Sequence, residues 1–544
     1  MRRPRAHVLA GAALVLVAAV TAPAGVGHAR PPTAGAQLRL ALDPGTTGTA
    51  TTTGIATTAA APLATTAIAP GLTLSDVSLS GPVKGKLLTA DLAESTLKPK
   101  YLNPGTVAAT TALTTQAGRA GVVAAVNGDF FDIGATGAPR GIGIDGGNLL
   151  NGPAAGWNDV AAFYADGRAG LAQIFLDGVI TLPGGRTLTA TNLNSPNIAH
   201  DGIGIYNPLW GSQARSQALD GAARAREVEV SQGKVIRVST SAGGKVAEGS
   251  VALLGVDAGA DALSGLAVGD AVSVDYRPRG GDGAQVAIGG NLVLLRDGVV
   301  TTQSHPLNPR TAIAFSADGL KVWLLAIDGR TSASVGMTYV QLGNYLKSIG
   351  ADDALNLDGG GSTTMVARLP GSTSLSVVNT PSDGAQRPVP NGIGFVSTSP
   401  CLATSYDLGA YPQLAAGATG VAVTIAQCLL GGGAASGTLD PATVAAVRQF
   451  QTDRGLPVTG VVDAHTWTAL LSAGDRPTLQ SGSTGEAVRR LQRALTAALG
   501  RTVGIDGQFG TQTKTAVTDY QRSRGLDPDG LVGPLTWAAL QAGR

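Results

Sequence analysis

The segment Asn356-Leu-Asp-Gly-Gly-Gly-Ser-Thr-Thr-Met365 carries the most informative pattern in the chain. The apolar residues before it predict a short strand that ends at Leu357 and presents Asp358 at its tip. Three successive glycines then let the backbone approach a ligand closely before Ser362. Such a loop can point several N–H groups at a phosphate and place a carboxylate beside it. A tight turn with a capping Asp is the alternative interpretation.

Short apolar runs that end in Asn, Asp and Gly recur through the central part of the chain. Val122–Val126 and Lys321–Ile327 are predicted strands of this kind. Tyr339–Ile349 has apolar residues at helical spacing and stops at a glycine, which predicts a helix. From Glu227 to about Val300, alternating runs broken by glycine indicate an inserted β-rich subdomain. The fold class predicted for this region is therefore an α+β catalytic domain with a β-rich insertion.

Further polar loops in this region combine Asn, Asp or Arg with glycine in a way that packing alone does not demand. Asn127 and Asp129 close a predicted strand, so Asp129 can act on a leaving group or hold a cation, unless it only caps a turn. Arg310 and Arg330 flank a predicted strand hairpin, and two guanidinium groups suit the paired oxygens of a phosphodiester. Asp328 precedes Arg330 in the same loop. A surface ion pair is the usual alternative for a single Arg.

Composition excludes several classes of function. A formal net charge of +2 gives no field that would concentrate nucleic acid. The sequence contains neither the G-x-S-x-G elbow of lipase-type hydrolases nor a nucleotide-binding glycine motif in its strand-to-helix context. His200 and His305 alone do not make a zinc site. Any metal is unknown. Calcium or magnesium would suit the Asp residues, but the spacing of these residues matches no standard calcium-binding loop. The sequence requires no cofactor.

The N-terminal sequence predicts export. Three Arg residues, an apolar run over Val8–Val20 and small residues up to Ala29 are typical of a signal peptide over residues 1–29. Residues 30–69 are rich in Thr, Ala and Gly and are predicted to be a linker. No later segment has the length of a membrane span. The predicted location is secreted, extracellular or cell-wall-associated, and in an oxidising compartment Cys401 and Cys428 are expected to form a disulfide.

The C-terminal region contains an internal repeat, and two small three-helix domains are predicted over residues 400–474 and 475–544. Trp467 and Trp537 occupy equivalent positions and are interpreted as core residues. Other residues of the first copy return in the same order in the second. The pairs are Leu414 and Leu479, Gly417 and Gly482, Gly420 and Gly485, Val423 and Val488, Gln427 and Gln492, Phe450 and Tyr520, Gln451 and Gln521, and Gly455 and Gly525.

Both copies resemble the peptidoglycan-binding repeat of exported bacterial wall enzymes, which implies peptidoglycan or a related wall glycan as a partner. The first copy has Gly437-Thr-Leu-Asp440 where the second has Gly507-Gln-Phe-Gly510. This difference leaves open whether both repeats bind the wall.

The polar motifs of residues 70–399, taken in order with Pro390-Asn-Gly-Ile-Gly-Phe395, resemble the phosphodiester glycosidase family. The resemblance implies hydrolysis of a sugar 1-phosphodiester, of the N-acetylglucosamine-1-phosphodiester kind, to a free sugar and a phosphomonoester. Two alternatives stay open: a non-catalytic wall-binding protein, and a peptidoglycan-processing hydrolase. The residues assigned to catalysis are Asp358, Asp129, Asn127 and Ser362. Those assigned to substrate binding are Arg310, Arg330, Asp328, Asn356, Gly359, Gly360, Gly361, Thr363 and Asn391.

Overall fold

The computed structural model describes residues 65–369, 372, 374–399, 401, 406–431 and 435–544. The predicted signal peptide and most of the predicted linker lie outside the described residues. The linker prediction is wrong for its last five residues, because Thr65–Ala69 forms a strand paired antiparallel with Leu72–Leu79. Among the described residues, no helix has the length and apolar character needed to cross a membrane.

The region before the C-terminal repeats is rich in strands. In chain order they are β1 (Thr65–Ala69), β2 (Leu72–Leu79), β3 (Val83–Asp91), β4 (Leu97–Leu102), β5 (Ala124–Asn127), β6 (Gly143–Asp145), β7 (Asn148–Asn151), β8 (Asp159–Tyr164), β9 (Ala169–Gln173), β10 (Phe175–Thr181), β11 (Thr187–Ala190), β12 (Asn192–Leu193), β13 (Ile203–Tyr206), β14 (Ala225–Ser231), β15 (Lys234–Ser239), β16 (Ser250–Val256), β17 (Ser273–Arg279), β18 (Ala284–Gly289), β19 (Leu292–Arg296), β20 (Val299–Val300), β21 (Arg310–Phe315), β22 (Lys321–Ile327), β23 (Asp353–Leu357), β24 (Met365–Ala367), β25 (Ser376–Val377) and β26 (Gly392–Ser397).

Helices are few in this region and dominate the C-terminal part. They are α1 (Leu113–Ala120), α2 (Ala258–Ala262), α3 (Tyr339–Ser348), α4 (Val421–Leu429), α5 (Pro441–Asp453), α6 (Ala464–Ser472), α7 (Glu486–Leu499), α8 (Thr511–Ser523) and α9 (Pro534–Gln541). Helix α3 matches its predicted position and begins with a capping box, in which Thr338 and Gln341 satisfy each other's backbone N–H groups.

Three sheets share one hydrophobic core. An eight-stranded sheet has the order β1-β2-β3-β22-β21-β23-β19-β20, and two five-stranded sheets have the orders β25-β24-β5-β26-β4 and β7-β6-β18-β8-β9. Phe163 of β8 joins all three, since its ring centroid lies 6.2 Å from that of Phe315 in β21 and 6.3 Å from that of Phe395 in β26. Edge-to-face packing of this kind fixes the sheets against one another.

Two further sheets lie in the region where a β-rich insertion was predicted from Glu227 to about Val300, but they begin and end at other residues. A three-stranded sheet (β11-β10-β17) and a five-stranded sheet (β12-β13-β16-β14-β15) cover residues 175–279 and enclose a core of their own. Strand β18, which the prediction placed inside the insertion, belongs to a sheet of the shared core. Alternation of apolar residues identifies strands but does not assign them to sheets, so these boundaries were not predictable from the pattern.

The C-terminal repeats form two sets of three helices, α4–α6 and α7–α9, around one common cluster of apolar side chains. Trp467 and Trp537 are fully buried, and their indole N–H groups donate to the carbonyls of Pro412 and Pro477, each at 2.7 Å. The interpretation of both as core residues is confirmed. The disulfide between Cys401 and Cys428 is also present, and it joins the entry to the first repeat with helix α4.

Candidate active site

Four strand ends meet at one edge of the two main sheets. In the five-stranded sheet, Asn127 at the end of β5 lies opposite Gly392 at the start of β26. In the eight-stranded sheet, Thr311 near the start of β21 lies opposite Leu357 at the end of β23. Asn127 connects the sheets: its amide donates to the carbonyl of Asp358 at 2.7 Å and its oxygen accepts from the Thr311 hydroxyl at 2.9 Å. The polar loops of distant motifs are thereby brought to one place.

Asp129 is a buried carboxyl group at this edge. Its side chain is 2% exposed, its backbone N–H donates to Asn391 Oδ1 at 2.8 Å, and its Oδ2 accepts from the N–H of Gly141. Its Oδ1 has no hydrogen-bond partner within the described structure. Burial, with a further contribution from the charge of Asp358, raises the pKa of Asp129 to about 8. Asp129 therefore carries a proton at neutral pH, and one of its buried oxygens has no hydrogen-bond partner among the described residues.

Asp358 lies next to Asp129 and differs from it in protonation. Its backbone N–H donates to the carbonyl of Gly128 at 2.8 Å, which joins the two loops, and its side chain is half-buried. Burial raises the pKa of Asp358 to about 6, while a hydrogen bond from Ser362 and the charge of Arg387 act in the opposite direction. The site thus pairs a protonated and an ionised carboxyl group at pH 7, the combination used by enzymes for acid and base chemistry.

A glycine segment that the sequence analysis did not single out forms one wall of the site. A Cβ on Gly289 would lie 2.6 Å from the Cα of Gly141 and 2.8 Å from Asp129 Oδ2, so only glycine fits there. Two residues on, Asn291 accepts from the amide of Asn356 at 2.7 Å. The signal was the sequence Gly289-Gly-Asn291 at the end of β18, which the predicted insertion up to about Val300 concealed.

Arg330 lies beside the glycine loop. Its backbone has a φ of +63°, the left-handed region that non-glycine residues rarely adopt, and its side chain is exposed. A Cβ on Gly360 would lie 3.0 Å from Nη2 of Arg330. The same nitrogen of Arg330 donates to Asn308 Oδ1 at 3.3 Å. This strained backbone directs a guanidinium group towards the loop, and strain of this kind is concentrated at functional sites.

Arg310 was expected to bind phosphate with Arg330, but the structure places its guanidinium against the backbone and a ring. The side chain is 5% exposed, Nε donates to the carbonyl of Met337 at 2.9 Å, and Nη2 donates to that of Pro306 at 2.7 Å. Its Cζ lies 4.0 Å from the centroid of the Tyr339 ring. These contacts fix the loop before β21, and the assignment of Arg310 to phosphate stays a prediction.

The other predicted site residues divide into two groups. Asn391 and Ser362 are buried beside the carboxyl pair, and Thr363 is buried in the loop that follows. Asp328 instead accepts from the N–H of Thr380 at 2.9 Å and holds a neighbouring loop. The amide of Asn356 likewise donates to Asn291, as described above. Gly359, Gly360 and Gly361 form the loop between Asp358 and Ser362.

Two aromatic side chains lie next to Asp129. The ring centroid of Phe130, the residue after Asp129, lies 5.7 Å from that of Trp157, and the Cζ of Arg140 lies 5.8 Å from the Trp157 ring. Both aromatic side chains are partly exposed. Trp157 was not identified from sequence, because a single Trp in a loop has no local pattern that marks a site.

Two groups of potential cation ligands occur among the described residues, and neither includes Asp129 or Asp358. They are His200 with Asp201 and Asp257, and Asp297 with Asp352 and Asp353.

Comparison with known families identifies the domains. The sequence model of the family described as phosphodiester glycosidase matches residues 224–396. The chain carries a phosphodiester glycosidase domain. Within the matched part of the phosphodiester glycosidase domain lie Arg330, Asp358 and Asn391, whereas Asn127 and Asp129 precede it and reach the site through β5. The family described as putative peptidoglycan binding domain matches residues 426–470 and 484–540, which fall in the two helical repeats.

Two bacterial wall enzymes share short segments with the chain. A zinc D-Ala-D-Ala carboxypeptidase of Streptomyces albus G is 42% identical over 81 residues, covering 14% of this chain and 29% of the carboxypeptidase. An N-acetylmuramoyl-L-alanine amidase of Mycobacterium tuberculosis is 45% identical over 103 residues, covering 18% of this chain and 25% of the amidase. The chain thus spans less than a third of the length of either enzyme.

A solved structure shares the fold of a larger part of the chain. A hypothetical protein from Synechocystis superposes with a TM-score of 0.52 and 22% sequence identity, over 62% of this chain and 64% of that one. At this level of identity the likeness concerns the fold alone.

Proposed function

We propose that this protein is an exported, wall-associated hydrolase that cleaves a sugar 1-phosphodiester to a free sugar and a phosphomonoester. The observation that carries the proposal is the pair formed by Asp129 and Asp358, one protonated and one ionised at neutral pH, beside a glycine loop and a guanidinium group. The phosphodiester glycosidase family match supports hydrolysis.

The two carboxyl groups have complementary roles in this reaction. Asp358, ionised above a pKa of about 6, serves the anomeric carbon as base or nucleophile, so that the C–O bond to phosphate breaks and a hydroxyl from water is added. Asp129, protonated below a pKa of about 8, donates to the departing phosphate oxygen through the carboxyl group whose Oδ1 is unpaired. Asn127 and Asn391 hold the two loops in register.

The phosphate lies over the glycine loop, where Arg330 offsets its charge. Asn308 engages one N–H of Arg330, and a guanidinium group carries five donors, so the side chain retains capacity for an anion. The partly exposed rings of Phe130 and Trp157 provide an apolar face next to Asp129, suited to the apolar face of a sugar ring.

The C-terminal repeats keep the enzyme at its substrate. The two wall enzymes that share segments with this chain, together with the peptidoglycan-binding family match, support retention at peptidoglycan. Tethering of this kind raises the effective concentration of a wall-borne glycosyl phosphate without any added contact to it.

The proposal is tested by incubating the purified protein with N-acetylglucosamine-1-phospho-methylmannoside and measuring released sugar, with and without EDTA. We expect wild-type turnover and a loss of at least about tenfold in Asp358→Asn, because positioned acid–base groups contribute about 10² to 10⁴ in rate. Asp177→Asn is the matched control, since that carboxylate pairs with Arg277 on the inserted sheet. Equal turnover in Asp358→Asn and in the control would refute the assignment.

A further inference from the structure

Two guanidinium groups, not one, border the glycine loop. Arg330 lies against Gly360, as described above. A Cβ added to the next residue, Gly361, would overlap both Nη2 of Arg387 and Oδ2 of Asp383. A side chain at the second or third glycine of the loop would therefore collide with a charged group. The loop backbone runs between the guanidinium groups of Arg330 and Arg387.

Arg387 is connected to the catalytic machinery through Ser362. Its Nη1 lies 3.5 Å from Ser362 Oγ, at the limit of a hydrogen bond, and the Ser362 side chain is hydrogen-bonded to the Asp358 carboxylate. The Arg387 side chain is 30% exposed, so part of the guanidinium group faces solvent. A ligand at the glycine loop would meet this group next to Asp358.

The counter-ion of Arg387 is Asp383. Nη2 of Arg387 donates to Asp383 Oδ2 at 2.7 Å and Nε donates to the same oxygen at 3.2 Å. Asp383 is itself 39% exposed. An exposed ion pair of this kind contributes little to stability, about 0 to 1 kcal/mol, and can be exchanged for another anion at low cost.

The substrate requires more positive charge than Arg330 supplies. A phosphodiester carries one negative charge, and the phosphomonoester that leaves carries nearly two at neutral pH. Both forms lie near the ionised Asp358, which repels them. Arg310, the second cation expected from sequence, is held by two carbonyls and a ring. A second guanidinium on the other side of the loop would balance the charge that develops on the leaving group.

We propose that Arg387 binds the phosphate group of the substrate opposite Arg330, and that Asp383 is the resting counter-ion which the phosphate displaces. This inference rests on the proposed function, because it assigns the second phosphate ligand of the same site. Arg387 then becomes a substrate-binding residue, and Asp383 competes with substrate for its N–H donors.

The competing explanation is that the Arg387–Asp383 pair only fixes the loop. The two explanations predict different changes in phosphate affinity when either partner is removed. If the pair is structural, removing either partner has the same effect on the loop and leaves anion affinity unchanged. If Asp383 competes with phosphate, removing it strengthens phosphate binding, whereas removing Arg387 weakens it.

The test is the affinity of the full-length protein for inorganic phosphate, measured by titration calorimetry at pH 7, with thermal unfolding recorded for every variant. Arg387→Gln should weaken phosphate binding by about tenfold or more, since a charge-assisted bidentate contact is lost. Asp383→Asn should tighten it by about twofold to fivefold. Arg277→Gln, which removes an exposed arginine paired with Asp177 on the inserted sheet, should leave it unchanged.

Unchanged affinity in both Arg387→Gln and Asp383→Asn, or a parallel loss in both, would overturn the inference. Because phosphate binding does not depend on turnover, its outcome is separate from that of the proposed function. Opposite shifts in the two variants of a protein that cleaves no diester would uphold the anion site and reject the reaction. Diester cleavage with full phosphate affinity in Arg387→Gln would uphold the reaction and reject the site.

Discussion

The amide of Asn127 donates a 2.7 Å hydrogen bond to the main-chain carbonyl of Asp358, and this contact ties the end of β5 to the end of β23. The oxygen of the same amide accepts from the hydroxyl of Thr311 and from the N–H of Thr364 at 3.0 Å. Asn127 is fully buried. One side chain therefore holds the loop of Asp129 against the loop of Asp358.

Asn127→Ala should destabilise the protein and reduce phosphodiester turnover together. The substitution leaves two buried donors and one acceptor without partners, and each such group costs about 1–3 kcal/mol, so we expect a loss of at least about 3 kcal/mol in the free energy of unfolding. Urea unfolding followed by circular dichroism measures it. Asn148→Ala, in an exposed hairpin, should change the same quantity by less than about 0.5 kcal/mol. Equal stability of the two variants would show that Asn127 does not join the sheets.

The rate of sugar release should depend on pH as a bell-shaped curve. Activity requires Asp358 ionised, which it is above a pKa of about 6, and Asp129 protonated, which it is below a pKa of about 8. The value of kcat/KM should therefore be greatest near pH 7. In Asp129→Asn the alkaline limb should disappear from the residual activity. A wild-type profile that stays flat from pH 5 to pH 9 would be inconsistent with this pair.

The stability of the protein should fall as the pH rises. The folded pKa of Asp129, about 8, lies above the value of about 3.9 expected in the unfolded chain, so folding favours the protonated form. The resulting stabilisation is complete below about pH 4 and is lost between about pH 4 and pH 8. Asp129→Asn should remove this loss and unfold at a higher temperature than wild type at pH 9. Identical pH slopes for the two proteins would contradict the burial of an uncompensated carboxyl group.

Gly141→Ala should inactivate the site by displacing Asp129. The new methyl group would overlap the Asp129 carboxyl group and lie 2.7 Å from the Cα of Gly289. Overpacking of this kind costs about 1–3 kcal/mol and shifts the backbone. We expect sugar release to fall by about tenfold or more, since a displaced catalytic group loses its geometry. Gly170→Ala is the control, because a Cβ there meets no atom within 4 Å; equal activity in both variants would disprove the steric role of Gly141.

Strand ends and polar loops were predictable because they depend on local sequence. The strands ending at Asn127 and Leu357 and the helix from Tyr339 follow from apolar periodicity and from glycine at the element ends. The contact partners of arginines depend on tertiary structure, so the sequence did not show that the Arg310 guanidinium lies against the Tyr339 ring or that Arg387 lies beside Gly361. Gly289 was missed for the same reason, since its role appears only where β18 meets the loop of Asp129.

The disulfide should stabilise the first repeat without affecting the phosphodiester reaction. Cys401 and Cys428 are separated by 27 residues, and closing a loop of that length stabilises the folded state by about 3–4 kcal/mol in the chain-entropy model. Replacing both with Ser should lower the unfolding temperature of the helical repeats and leave sugar release at the wild-type rate. A parallel loss of sugar release would show that the repeats and the catalytic region unfold as one unit.

Hydrolysis of the sugar 1-phosphodiester in ¹⁸O-labelled water is the most direct test of the central claim. Attack at the anomeric carbon, with Asp358 and Asp129 in the roles assigned here, places the label in the released sugar and leaves the phosphomonoester unlabelled, which mass spectrometry of both products detects. Label in the phosphomonoester would mean that the P–O bond breaks. The protein would then be a phosphodiesterase and the assignment of the carboxyl pair would be wrong.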